Sequence, residues 1–261
     1  MAFMGRDANP IFLSRGMCMR TKRFCRGAVA VCLLWGLAGS VTAAPVYWTD
    51  WTSSHRDSTG PDTVIGTATV PVLGSVGVTY TGEFLSSRTN TDGTGTNFWT
   101  GFDTTYADGV AVDNAPVSSD IIGLFDGGGE TCIITFSKPV TNPVMAIVSL
   151  GGPGLPATSV FNVPFNVVAH GVGYFGDGLL TEEANKTLRG QEGNGTIQFF
   201  GQVSSLQWTI PQSEYWYGFT VGIPGPDDGP VGPAGVPAPG TLLLVGIGTS
   251  LVGYLRRRRT L

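Results

Sequence analysis

The chain has 261 residues, of which 13% are charged, 42% are hydrophobic, 39 are glycine and 17 are proline. So little charge with so many aromatic residues excludes a chain that is disordered over most of its length. Turn-forming residues spread through a Thr- and Val-rich sequence favour many short strands. Residues 44–255 contain five basic and eighteen acidic residues, a formal net charge of −13, which repels phosphate backbones and excludes nucleic acid as a partner.

The first segment, residues 1–43, has the layout of a secretory signal peptide. A cluster of basic residues precedes an eleven-residue apolar run, 28–38, and small residues then lead to Ala43 and Ala44. A bilayer-spanning helix needs about 20 apolar residues, so we expect signal peptidase to cleave after Ala43 rather than the segment to remain as an anchor. Residues 1–16 are long and polar for such a leader, and a later start codon would make them a start-site artefact.

Residues 44–223 are predicted to form one all-β domain, a single jelly-roll-like antiparallel β-sandwich. Hydrophobic and polar residues alternate along several segments, as they do in strands with one buried face. Gly-rich turns separate these segments, and one short helix is expected at about residues 181–189. The segments with the clearest alternation are 76–84, 144–150, 161–169, 206–210 and 215–223.

Few residues of this domain could carry out catalysis. Removal of the leader leaves Cys132 as the one cysteine, and its alternation with apolar neighbours predicts a buried thiol. His170 shares its strand face with asparagines, which predicts a solvent-facing side chain. No Gly-x-Ser-x-Gly motif and no zinc-ligand spacing occurs, so the chain is predicted to be neither an enzyme nor a cofactor-binding protein. A secreted hydrolase acting on polysaccharide, with His170 or a carboxylate pair in a pocket, is the alternative.

Two polar turns are candidates for weak calcium binding. Asn90 and Asp92 place oxygen-bearing side chains at alternating positions of a turn, and Asp126 precedes three glycines. Calcium takes six to eight oxygen ligands, and neither segment supplies that number alone. Position 101, where an EF-hand loop starting at Asn90 would need Glu, is Gly. A calcium-stabilised adhesion module is therefore a second alternative.

Tryptophans are the candidates for carbohydrate binding, because exposed flat rings offer an apolar face beside polar neighbours. Alternation turns Trp216 away from Tyr215 and Tyr217 and places it beside small residues, which makes it the first candidate. Trp48 and Trp51 are three residues apart, so a regular strand directs them to opposite faces and leaves one of them to be exposed. The sequence therefore predicts a glycan-binding surface at Trp216, with Trp48 or Trp51 as further candidates.

The composition changes in the last part of the chain. Residues 224–240 are rich in Pro and Gly and predict an extended spacer. Residues 241–255 are apolar and would form a helix about 22 Å long, which the snorkelling side chains of Arg256–Arg259 extend across a membrane. The arginines hold that end in the cytoplasm by the positive-inside rule. This pattern predicts a C-terminal membrane anchor with the β-domain outside the cytoplasm.

Residues 236–261 resemble the PEP-CTERM sorting signal of exported bacterial proteins. The resemblance rests on a short Pro motif, a Leu/Gly-rich run and a terminal Arg cluster, in that order, with Ala238 where the family usually has Glu. It implies sorting by an exosortase-like membrane enzyme, delivery to the outer surface or matrix if the tail is processed, and an association with extracellular polysaccharide. The sequence thus predicts a structural or glycan-associated protein of the cell envelope or extracellular matrix. The motif residues are Val236, Pro237, Ala238, Pro239, Arg256, Arg257, Arg258 and Arg259.

Overall fold

Two antiparallel sheets pack face to face, which confirms the β-sandwich predicted for this chain. The computed structural model describes residues 43–125, 129–212 and 215–225, so residues 1–42, Asp126 and the predicted tail from residue 226 lie outside the described residues. The described residues contain one short α-helix, α1 (Asp103–Tyr106), and two three-residue 3-10 helices, Ser86–Arg88 and Ala184–Lys186. The strands are β1 (Val46–Trp48), β2 (Asp50–His55), β3 (Thr63–Val70), β4 (Gly74–Thr81), β5 (Ile122–Leu124), β6 (Thr131–Thr141), β7 (Val144–Leu150), β8 (Ala157–Phe161), β9 (Phe165–His170), β10 (Leu180–Glu183), β11 (Thr187–Gly190), β12 (Gly193–Phe199), β13 (Gln202–Thr209) and β14 (Tyr217–Pro224).

The two sheets divide the strands unequally. The smaller sheet has the order β1-β14-β7-β12-β9, and β5 also pairs with β14. The larger sheet has the order β10-β11-β8-β13-β6-β4-β3-β2. The chain passes from the smaller to the larger sheet within one residue, at Thr49 between β1 and β2.

The core between the sheets is built around aromatic rings. Trp208 of the larger sheet lies 5.3 Å from Phe219 of the smaller sheet and 6.2 Å from Tyr80, measured between ring centroids. The Trp208 indole donates a hydrogen bond of 3.2 Å to the Tyr217 hydroxyl, so the polar atoms of this aromatic core are satisfied. Val76 and Val78 are fully buried on the same face as Tyr80, as alternation predicts.

A third layer covers the outer face of the smaller sheet. Every residue of β7 is buried: Met145 and Ile147 face the core between the sheets, whereas Ala146 and Val148 pack under the connection that precedes β5. Trp99 is a fully buried member of this cover. The backbone carbonyl of Tyr106 in α1 accepts a hydrogen bond of 2.8 Å from Thr196 in β12, which fixes α1 on the sheet.

The helix predicted at about residues 181–189 is wrong, since this segment is the hairpin β10–β11. Asn185 and Lys186, between the two strands, have φ of 61° and 60°. These two residues with positive φ reverse the chain within the three-residue loop that joins Glu183 to Thr187, and Asn tolerates this conformation better than most residues. The turn conformation and the pairing of β11 with β8 therefore override the local helix pattern.

The sandwich has two ends with different features. Val46 pairs with Pro224, and the Gly225 N–H donates a hydrogen bond of 2.8 Å to the Pro45 carbonyl. Pro45 and Gly225 thus lie side by side, next to Ala44, at what we call the junction end. Strand β14 runs from there for eight residues, about 25 Å, to the opposite or distal end, where Trp216 lies.

The longest helix in the described part of the chain has four residues, and none there could cross a membrane.

Candidate functional site

An open cleft of about 860 Å³ lies at the distal end of the sandwich. Six segments among the described residues meet there: the connection after β4, the end of β5, the loop between β7 and β8, the loop between β9 and β10, the residue before β12 and the segment before β14. Because antiparallel strands bring their ends together from distant parts of the chain, residues far apart in sequence line one site. The residues that matter for its chemistry are Arg88, Phe125, Phe175, Glu192, Gln212, Tyr215 and Trp216.

Aromatic rings form much of the wall of this cleft. Trp216 lies 5.1 Å from Phe175 and 5.4 Å from Phe98, and Phe125 lies 6.4 Å from Tyr215 (ring centroids). Tyr215 is 87% exposed, and Phe125 and Phe175 are nearly half exposed. Several exposed apolar rings side by side on a domain surface mark a site of interaction with a ligand or partner.

Polar groups with fixed positions lie between the rings. The Gln212 carbonyl oxygen accepts hydrogen bonds of 3.0 Å from both the backbone N–H and the hydroxyl of Thr158, and the Gln212 amide nitrogen donates one of 2.7 Å to that hydroxyl. This arrangement holds the amide in one orientation and leaves its second hydrogen unused by any described residue. Glu192, half-buried, supplies a carboxylate. Aromatic walls with a few oriented polar groups are typical of small-molecule sites.

Arg88 enters the cleft from a backbone that is tied to β5. The Leu85 N–H donates to the Gly123 carbonyl (2.8 Å), and the Gly123 N–H donates to the Thr89 hydroxyl (3.1 Å). A side chain at Gly123 would place its Cβ 2.7 Å from the Arg88 carbonyl oxygen and 2.8 Å from the Trp216 indole nitrogen. Glycine is therefore required where Arg88 and Trp216 converge under the cleft.

Trp216, the first glycan candidate from the sequence, does line the cleft, but it is half-buried. Its indole N–H is buried and has no hydrogen-bond partner among the described residues. Strand alternation places Tyr215 on the same side of the chain as Tyr217. Tyr215 is instead the most exposed ring of the site, because β14 begins only at Tyr217 and strand alternation does not extend to residue 215.

The other two tryptophan candidates lie elsewhere. Trp51 is fully buried, and its indole donates a hydrogen bond of 3.1 Å to the Thr220 hydroxyl. The prediction of Trp51 as a glycan ligand is corrected accordingly, because its ring offers no face to solvent. Trp48 is half-buried, donates to the Asn114 carbonyl (3.0 Å) and lines a separate groove of about 420 Å³ with Asp50.

The side chains of Asn90 and Asp92, two of the calcium candidates, already make hydrogen bonds to other protein groups. Asp92 accepts from the hydroxyl of Thr94 (2.6 Å) and from its backbone N–H (2.9 Å), and these bonds hold the pKa of Asp92 below its usual value. The Asn90 amide donates to the Ser119 carbonyl (3.2 Å). No cluster of three or more His, Cys, Asp or Glu that could hold a metal occurs among the residues described, and Asp126 is outside them. The Asn90–Asp92 segment thus has the bonding of an ordinary Asx turn.

The two remaining reactive groups lie where the sequence predicts. Cys132 is buried in the core, and burial raises its pKa to about 12. Because the thiolate is the reactive form, this cysteine is inert at neutral pH. His170 is exposed at the end of β9 and does not line the cleft.

The sequence analysis did not identify Phe125, Phe175, Tyr215 or Arg88 as site residues. The available signal was a Tyr-Phe pair within a run of glycines at 171–178, since aromatic residues in a loop without apolar periodicity have no place in a core. The chain matches no protein-family model, and no curated protein or solved structure is significantly similar to it.

Proposed function

We propose that this protein is an exported, non-catalytic protein of the cell envelope or extracellular matrix, and that its distal cleft binds carbohydrate. The observation that carries the proposal is the aromatic cleft at the end of the sandwich opposite Ala44 and Gly225. Rings with exposed faces suit the apolar faces of sugar rings, and the fixed amide of Gln212 suits their hydroxyls.

The position of the junction end supports display of the cleft away from a membrane. The predicted leader ends at Ala43, shortly before Val46, and the predicted spacer begins at Pro224, which pairs with Val46 in the fold. If the tail anchors the chain, as its resemblance to a PEP-CTERM signal implies, the cleft lies about 25 Å beyond the point where the spacer leaves the domain. An acidic domain presented in this way stays soluble and repels its neighbours.

The described residues of the cleft do not include the carboxylate pair of a glycosidase. Glu192 is the one carboxylate among the described residues that line it, whereas hydrolysis of a glycosidic bond uses two, about 5–10 Å apart. His170 lies outside the cleft. Binding without cleavage is therefore the function that this arrangement favours.

Binding is tested with the purified full-length protein in detergent and oligosaccharides prepared from bacterial matrix polysaccharide. We expect Tyr215→Ala and Phe175→Ala each to weaken binding about tenfold, since each removes roughly 1.4 kcal/mol of ring contact. Phe200→Ala is the matched control, because Phe200 is an exposed ring that does not line the cleft. Equal loss in all three variants, or no binding by the wild type, would contradict the carbohydrate part of the proposal.

Export and display are tested separately by the masses of the protein recovered from each cell fraction. A species that begins at Ala44 and lacks the Leu- and Arg-rich tail, found outside the inner membrane, is the expected result. A species that ends at Leu261 in the inner membrane would mean that Ala238 prevents sorting. The domain would then be a tethered periplasmic protein, with no link to the matrix.

A further inference from the structure

The basic residues of the domain differ in how they are engaged. Residues 43–125, 129–212 and 215–225 contain five of them, and four have a partner. Arg56 pairs with Asp62 at 3.0 Å, and Arg189 lies 3.8 Å from Glu183. The ammonium groups of two lysines donate to backbone carbonyls, Lys138 to Leu73 at 3.0 Å and Lys186 to Asn162 at 2.7 Å.

Arg88 is the exception, because its guanidinium has no partner among the described residues. It is exposed and lines the aromatic cleft. Its backbone is held by the hydrogen bond from its own N–H to the Leu85 carbonyl (2.9 Å) and by the close packing against Gly123. A guanidinium that lines an aromatic site and pairs with no anion among the described residues is available to bind an anion on a ligand.

We infer that Arg88 makes the cleft selective for carbohydrate that carries a carboxylate, such as a chain containing a uronic acid. This inference rests on the proposed carbohydrate binding and names its ligand class. A guanidinium matches the two oxygens of a carboxylate with two parallel N–H donors, which gives a strong and directional contact. The aromatic rings beside Arg88 pack against the apolar face of the sugar. A single uronic acid residue can therefore contact both the guanidinium and the rings.

The charge of the rest of the molecule shapes this selectivity. The net charge of −13 over residues 44–255 opposes association with any polyanion at long range. At 0.15 M salt the Debye length is about 8 Å. The repulsion between distant acidic residues and a bound carboxylate is therefore screened, whereas the direct attraction between that carboxylate and Arg88 is not. Glu192 also lines the cleft and disfavours a second carboxylate beside it. We therefore expect a chain with isolated uronates to bind better than a homopolymer of uronic acid.

The test uses two trisaccharides that differ in one group, one with a central glucuronate and one in which that carboxyl is reduced to the alcohol. Binding to the full-length protein in detergent is measured by calorimetry at 0.15 M salt. We expect the wild type to bind the acid at least tenfold more tightly than the alcohol. Arg88→Gln should abolish this preference by weakening binding of the acid while leaving that of the alcohol unchanged.

Two variants separate this inference from the proposed function. Arg189→Gln removes a cation that is already paired with Glu183, and it should retain the preference for the acid. Tyr215→Ala should weaken both ligands equally. If the wild type binds both trisaccharides equally, or prefers the alcohol, the role of Arg88 is refuted and carbohydrate binding stands. If it binds neither, the proposed function and this inference fail together. A thermal melt of Arg88→Gln that matches the wild type shows that the variant is folded.

Discussion

Replacement of Gly123 by alanine tests whether the floor of the cleft is set by close packing. The new methyl carbon would lie 2.7 Å from the Arg88 carbonyl oxygen, 2.8 Å from Arg88 Cβ and 2.8 Å from the Trp216 indole nitrogen. Ordinary contacts of this kind are about 3.5 Å or longer, so the neighbours must retreat by roughly 0.7 Å. Arg88 cannot do so easily, because its carbonyl is backbone and the segment is hydrogen-bonded to β5.

The expected cost follows from two opposing effects. Overpacking of a filled site costs about 1–3 kcal/mol, and the smaller conformational freedom of alanine in the unfolded chain returns about 0.4–1 kcal/mol. We expect a net destabilisation of about 1–2 kcal/mol. For a domain of this size that corresponds to a fall in melting temperature of roughly 2–8 °C.

Thermal unfolding followed by circular dichroism measures this change, and ligand binding measures its effect on the cleft. Gly77→Ala is the matched control, since a Cβ at this glycine of β4 meets only Ser137, at 3.5 Å, and should leave stability equal or slightly higher. We expect Gly123→Ala alone to lose affinity for the uronate ligand, because both Arg88 and Trp216 are displaced. A Gly123→Ala protein with the stability and affinity of the wild type would refute this account of how the cleft is held.

Three further predictions concern positions outside the cleft. Val72 is 98% exposed and has a φ of 68°. A positive φ is costly for a β-branched residue, and Asn adopts it more readily. Val72→Asn should therefore raise the free energy of unfolding, measured in urea, by about 1 kcal/mol. The pKa of Cys132 is about 12 in the folded protein, against 9.0 in the unfolded chain. The contribution of the protonated thiol to stability is therefore complete below pH 9 and is lost as the pH rises from 9 to 12. In urea titrations the wild type should lose stability relative to Cys132→Ala in that pH range alone. Trp51→Phe should cost about 2 kcal/mol in the same assay, with carbohydrate binding unchanged.

Each of these three outcomes has a clear opposite. A destabilised Val72→Asn would mean that the turn needs the valine side chain. A constant difference between wild type and Cys132→Ala across the alkaline range would mean that the thiol is not protected by burial. A loss of carbohydrate binding in Trp51→Phe would restore Trp51 as a ligand residue, against its position between the sheets.

Strand alternation predicted much of the core, because a residue's neighbours two positions away share its face whatever the rest of the fold does. It placed Tyr80 and Trp208 correctly in the core between the sheets. It also directed Trp48 and Trp51 to opposite faces. Trp51 rather than Trp48 is buried because the chain passes from one sheet to the other at Thr49. The alternation of apolar and polar residues does not predict where such a passage occurs.

The candidate site was less accessible to such reasoning. Its members Arg88, Phe175 and Tyr215 come from connections more than 30 residues apart, and each occupies a loop or turn where no hydrophobic period applies. Trp216 was identified because it directly precedes β14, so that strand alternation still predicts the side on which its ring lies. The burial of its indole N–H depended on Gly123, which only the pairing of β5 with β14 brings beneath it.

The sequence by itself determined the all-β class, the acidic character of the domain, the buried Cys132 and the exposed His170, because these follow from local composition and a period of two residues. Only the tertiary structure decided that both faces of β7 are covered, that residues 181–189 form a hairpin, and that the aromatic cleft lies opposite the junction of Ala44 and Gly225. Those features arise where strand ends from distant parts of the chain meet, and such meetings are set by sheet pairing rather than by any local pattern.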